Sequence, residues 1–185
     1  MASVRRCDDH LPMRDGADAI EIRDASPADY ESLGEMTVRA YLGLPGMPSR
    51  EEAPGYYGEL GDVAGRACLE QVRIVAAYDR ASGRLLGGAT YIDEVYGRFF
   101  GLEDSAGIRM LAVDPALQSR GVGRALVAHC LASAREAGRQ VMLLHTMAPM
   151  EVARRMYERF GFQRDPALDF EFEGMQILGY RISLD

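Results

Sequence analysis

The chain has 185 residues, 48% of them hydrophobic and 26% charged, with a formal net charge of −7 at pH 7. That is the composition of one globular domain, and its acidity argues against a general nucleic-acid binder. All 21 basic residues are arginine, which excludes a Schiff-base lysine and a P-loop lysine, and Cys7, Cys68 and Cys130 are too scattered for a disulfide framework, so a reducing cytoplasm is the expected setting.

Residues 1–18 are polar and aperiodic and read as a mobile tail ahead of a domain spanning 19–185. The charged start has no apolar run after it, unlike a signal peptide, and no stretch approaches the roughly 20 apolar residues of a membrane helix. Ala19–Arg23 predicts a first strand. Ser26-Pro27-Ala28-Asp29 predicts a helix start, with Ser26 as N-cap, Pro27 at the first helical position and Asp29 at the third. That helix runs to about Tyr41 and breaks over Gly43–Pro48. A second helical segment is expected within Glu51–Gln71. Val72–Tyr78 and Leu85–Ile92 read as strands joined by a hairpin loop at Asp79–Gly83.

Asp93–Ser105 is a longer connection carrying four acids and three aromatics. Ile108–Val113 is a further strand, ended by Asp114-Pro115. Gly121–Ala137 reads as a helix closed by Gly138, Gln140–Thr146 as a strand, and Glu151–Phe160 as a helix stopped by Gly161. One or two strands follow, the clearest being Ile177–Leu184. The plan is mixed α/β, with a βαβ crossover through Ile108–Thr146.

The stretch from Leu111 to Leu126 is a strand, a turn, a glycine loop and a helix start. Backbone N–H groups at a helix start are unpaired and the helix dipole favours an anion there. Glycines allow close approach to a pyrophosphate, and Arg120 and Arg124 add positive charge. A P-loop fails for want of lysine. A Rossmann fingerprint fails because its last position is Leu126 and the next strand ends in His145-Thr146 with no acid.

What remains, Gln118-Ser119-Arg120-Gly121-Val122-Gly123, resembles the acyl-CoA loop (Q/R)-x-x-G-x-(G/A) of the GNAT (GCN5-related N-acetyltransferase) family. Ala153-Arg154-Arg155-Met156-Tyr157 through Gly161-Phe162 is similar to that family's A-x-x-(L/M)-Y-x-x-x-G-F segment. The resemblance implies a GNAT fold: a twisted mixed sheet of six or seven strands flanked by helices, with Ile108–Val113 and Gln140–Thr146 splayed apart. It further implies acetyl-CoA as cosubstrate, with pantetheine along Leu111, Ala112 and Val113 and phosphates at Gln118, Ser119, Arg120, Gly121, Val122, Gly123 and Arg124. An oxyanion donor at the Leu111 backbone N–H and Tyr157 as the acid that protonates the leaving thiolate are also implied. Two positions depart from the family. Met150 stands where many members have Asn, and Gly107 where many have a Glu that serves as base.

Acyl transfer to an amine needs a proton acceptor, an oxyanion donor and a route for the thiolate to leave. A phenol, with ordinary pKa about 10, is a competent donor at neutral pH. Asp93, Glu94, Glu103 and Asp104, with Tyr96, Phe99 and Phe100, are candidates to line the acceptor site and attract an ammonium group. His10, His129 and His145 read as non-catalytic, and no spacing of His, Cys, Asp or Glu suggests a metal. The expected function is N-acetylation of a small-molecule or peptide amine, without nucleic acid or membrane as partner. The alternative is a catalytically silent acyl-CoA-binding module, suggested by Gly107 and Met150. A homodimer through the C-terminal strand is expected, because an uncovered edge invites pairing.

Overall fold

The computed structural model describes residues 19–94, 101–117 and 120–184. The first strand, β1 (Ile20–Asp24), leads to a single turn at Pro27–Asp29 and then helix α1 (Tyr30–Leu42). The turn is tied as the sequence anticipates: the Ser26 backbone N–H and hydroxyl both donate to Asp29 Oδ2, at 3.0 and 2.7 Å. The helical stretch expected within Glu51–Gln71 is instead two short helices, α2 (Pro54–Gly61) and α3 (Val63–Ala67). The break lies at Asp62, whose non-helical backbone lets its carboxylate accept from Gly65 N at 2.8 Å and start a new helix.

Strands β2 (Val72–Asp79), β3 (Leu85–Glu94) and β4 (Ser105–Val113) form an antiparallel meander. Helix α4 (Val122–Glu136) crosses over to β5 (Val141–Met147), which lies parallel to β4. Helix α5 (Glu151–Phe160) ends at Gly161, whose φ of +97° is the left-handed cap that stops a helix. Short strands β6 (Gln163–Arg164) and β7 (Phe170–Phe172) precede β8 (Met175–Ser183). The described residues form one eight-stranded sheet in the order β1-β2-β3-β4-β5-β8-β6, with β7 also on β8. The count exceeds six or seven because β6 and β7 are too short to show a period.

Those two short strands correct one expectation. They pair with β8 on the side opposite β5, so the C-terminal strand is not the open edge on which the homodimer was predicated. Among the described residues no helix is long and apolar enough to cross a membrane.

The main core lies between the sheet and α4 and α5. It is built by Ala106, Ile108, Leu126, Val127, Cys130, Met142, Leu144 and Tyr157, with Met156 and Phe160 packed on it. The opposite face of β4 is covered by α1 and α2 through Val38, Ala53, Tyr57 and Leu60, with Met110 and Tyr41 against them. There α1 and α2 touch backbone to backbone: a Cβ on Gly34 would sit 2.3 Å from the Gly61 carbonyl oxygen, so only glycine fits.

Candidate active site

Pairing between β4 and β5 runs from Ser105↔Val141 to Ile108↔Leu144 and then stops. From Arg109 to Val113, β4 has no strand partner on its β5 side among the described residues. The cause is local. Opposite β3, the register passes from Gly88↔Ala112 to Thr90↔Arg109, so two residues of β4, Met110 and Leu111, face Ala89 alone. Met110 takes up the extra length with φ of +52°, a left-handed bulge residue. The bulge bends β4 away from β5 and leaves backbone groups for another partner.

Helix α4 begins above this opening. Gly121 is its N-cap with φ of +82°, and among the described residues no side chain caps the helix. The first intrahelical bond is Ala125 N to Gly121 O, so the N–H groups of Val122, Gly123 and Arg124 point out of the helix start. A Cβ on Gly121 would meet nothing within 4 Å, and one on Gly123 would touch Met156, Val113 and Leu111. An anion can therefore come down onto the helix start, directly above Val113 and Leu111. Arg120 and Arg124 are exposed beside it, while Gln118 and Ser119 lie outside the described residues. Nearby on α5 the Nε of Arg154 is buried without a hydrogen-bond partner, a donor in want of an acceptor. These features fit a phosphate-bearing cosubstrate laid along β4.

Tyr157, one turn after Arg154, is buried at 6% exposure and packs edge-on against Phe162, ring centres 5.9 Å apart. Burial pushes its phenol well above the ordinary value, so it is protonated at neutral pH. Among the described residues its hydroxyl has no hydrogen-bond partner.

The α1–α2 side of the opening holds residues that local sequence patterns did not single out. The Tyr41 hydroxyl donates to the Leu111 carbonyl at 3.3 Å, reaching the bulge from the end of α1, and burial raises Tyr41 to about 12. Tyr56 stacks at an angle on Tyr41, Tyr57 and Phe172 at 5.5–6.2 Å, and its phenol is raised by burial and then by Tyr41. Arg109 Nη2 meets Glu59 Oε1 at 3.2 Å. One signal was available. Arg109 is a charged residue inside an otherwise apolar central strand, a position that charges occupy only for a reason.

The four acids flanking the long connection are placed elsewhere. Asp93 and Glu94 belong to β3, and Asp93 and Asp104 both bind Arg139, at 2.7 and 3.3 Å. Glu103 and Asp104 line an open hollow of about 620 Å³ with Gly138, Gln140 and Arg181. This is the paired end of β4 and β5, five residues or roughly 17 Å along β4 from the bulge. These acids are thus set apart from Tyr157 and Leu111 by strand geometry. Tyr96, Phe99 and Phe100 lie outside the described residues. Met150 sits at the N-cap position of α5 without capping it, its apolar side chain buried against Met147 and Ile177. His145 Nε2 lies 2.9 Å from the Leu168 carbonyl, and burial lowers its pKa. Among the described residues no group of His, Cys, Asp and Glu is arranged to hold a metal.

The Acetyltransferase (GNAT) family profile matches residues 45–162. An acetyltransferase of the GNAT family from Staphylococcus aureus Mu50 has the same fold with a TM-score of 0.69 at 15% identity, over 90% of this chain and all of that one. YncA of Salmonella typhimurium, whose structure holds its cofactor acetyl-CoA, superposes with a TM-score of 0.64 at 22% identity, over 90% of this chain and 95% of that one. A mycothiol acetyltransferase of Cellulomonas flavigena is 42% identical over 62 residues, which is 34% of this chain but only 18% of that protein's length.

Proposed function

The chain belongs to the GNAT acetyltransferase family, and we propose that it transfers the acetyl group of acetyl-CoA to a primary amine of a small molecule or peptide, by direct attack in a ternary complex. The single observation that carries this reading is the conjunction at one opening of an uncapped helix start, an unpaired stretch of β4 and a buried tyrosine with a free hydroxyl.

In this reading the α4 N–H groups of Val122, Gly123 and Arg124, with the Arg120 and Arg124 side chains, hold the phosphates, joined by Gln118 and Ser119. Leu111, Ala112 and Val113 offer backbone groups to the pantetheine amides. The amine nitrogen attacks the thioester carbonyl, and the Leu111 N–H steadies the oxygen as it gains charge. The N–C bond forms, the C–S bond breaks, and Tyr157 gives its proton to the departing sulfur. Asp93, Glu94, Glu103 and Asp104 are given no role in this reading, because they lie at the far end of β4.

The test has two steps. Acetyl-CoA at about 100 times its Kd should stabilise the fold by roughly 2.7 kcal/mol. With acetyl-CoA and a panel of primary amines, thiol release should then exceed the amine-free rate. A thermal shift with no thiol release from any amine would favour the silent binding module, the reading to which Gly107 and Met150 lend support.

A further inference from the structure

The side chain at position 107 of β4 is a hydrogen, so the strand itself brings no carboxylate to the reacting amine. Strand alternation identifies the face a carboxylate there would occupy. Ala106 and Ile108 point into the core shared with α4, so positions 107 and 109 face α1 and α2. Arg109 does so visibly, because its partner is Glu59 of α2. The two positions are about 6.6 Å apart along the strand. Glu59 therefore reaches, from a helix, the face that the strand leaves without an acid. Its side chain is 42% exposed and that of Arg109 36%, so the pair is open to an incoming molecule.

The surroundings favour an amine at this spot. Tyr56, one turn before Glu59 on the same helix, joins Tyr41 and Phe172 in an aromatic wall, with Met110 and Met175 at its foot. The other charged groups facing the pair are engaged. Arg66 of α3 donates to the Glu59 and Leu60 carbonyls and to Thr90 Oγ1. Glu173, in the β7–β8 turn, accepts from Tyr56 N at 3.1 Å. His145 of β5 lies across the opening, near enough to Arg109 for the guanidinium to lower its pKa. On this face Glu59 is thus a carboxylate that meets a side chain of β4 directly.

We infer that Glu59, held in place by Arg109, is the base that takes the proton from the attacking amine, directly or through one water. The step balances: the amine nitrogen forms its bond to the acetyl carbon and loses a proton to the Glu59 carboxylate, while the sulfur leaves with the Tyr157 proton. Both groups return to their starting states by exchange with solvent. The aromatic wall makes the preferred acceptor a primary amine on an apolar or aromatic body. This rests on the acetyltransferase reading above.

The experiment measures kcat for thiol release from acetyl-CoA at neutral pH, with the fastest acceptor among phenethylamine, benzylamine, spermidine and an alanyl peptide. Glu59→Gln keeps the side-chain shape and a hydrogen bond to Arg109. It should lower kcat about 10²–10⁴-fold at neutral pH. The acetyl-CoA thermal shift should stay intact. Glu59→Asp should recover part of the rate, and Glu173→Gln should match wild type. Near-wild-type kcat in Glu59→Gln, or an equal loss of kcat in Glu173→Gln, overturns the assignment and leaves the acetyltransferase reading standing. Wild-type enzyme that binds acetyl-CoA but releases thiol with none of the four amines overturns both.

Discussion

Gly121→Asp separates the proposed phosphate site from the fold. Gly121 sits at φ of +82°, where a side chain costs about 1 kcal/mol or somewhat more. Its Cβ would meet no atom within 4 Å, so no packing is lost. For a chain of this size that cost lowers Tm by about 2–4 °C. The effect on ligand is larger. A carboxylate about 5 Å from a phosphate charge, at an effective dielectric constant of about 20, is repelled by roughly 3 kcal/mol, or about two orders of magnitude in Kd. In differential scanning fluorimetry, wild type at about 100 times its Kd for acetyl-CoA should gain roughly 2.7 kcal/mol, or about 5–11 °C. The variant at the same concentration should keep about 1 °C of that gain. Gly121→Asn has the same shape and backbone cost without the charge, and it should keep more of the shift. An undiminished shift in Gly121→Asp would refute the placement of the phosphates at the α4 start.

Tyr157→Phe should leave Tm within about 1 °C, because its hydroxyl bonds no described residue, yet lower kcat about 10²–10⁴-fold; an unchanged kcat would mean that the ring only packs. Gly34→Ala should cost about 1–3 kcal/mol of stability by forcing α2 off α1, and because α2 carries Tyr56 and Glu59 it should raise the acceptor KM while sparing acetyl-CoA affinity. Urea unfolding and initial rates test both parts. Asp114 accepts from Ala116 N at 3.0 Å and from Arg84 at 2.6 Å, which hold its carboxyl below the usual carboxylate range. Its contribution is present above the unfolded carboxylate pKa of about 3.9 and is lost as pH falls through the depressed folded value. Asp114→Asn should therefore lower Tm at pH 7, and the gap should close on acidification below about pH 4. A gap that persists at low pH would show that charge is not the cause.

The sequence by itself determined the features that short stretches of chain decide among themselves. The helix stops at Gly138 and Gly161, the Ser26–Asp29 turn and the glycine-capped start of α4 are each set by the backbone conformations a few neighbouring residues permit. The glycine-capped helix start at which phosphates are proposed to bind was legible for that reason. The residues on the α1–α2 side of the opening came together only through tertiary packing. Tyr41 is 70 residues from the Leu111 carbonyl it bonds, and Glu59 is 50 from Arg109, so no local pattern relates them. The same distance in sequence hid the cover that β6 and β7 give β8. It also hid Arg139, which draws Asp93 and Asp104 to the closed end of the sheet. Whether an acid lines a site or ties down a loop depends on which arginine the fold brings beside it, and that is fixed by strand register and helix packing.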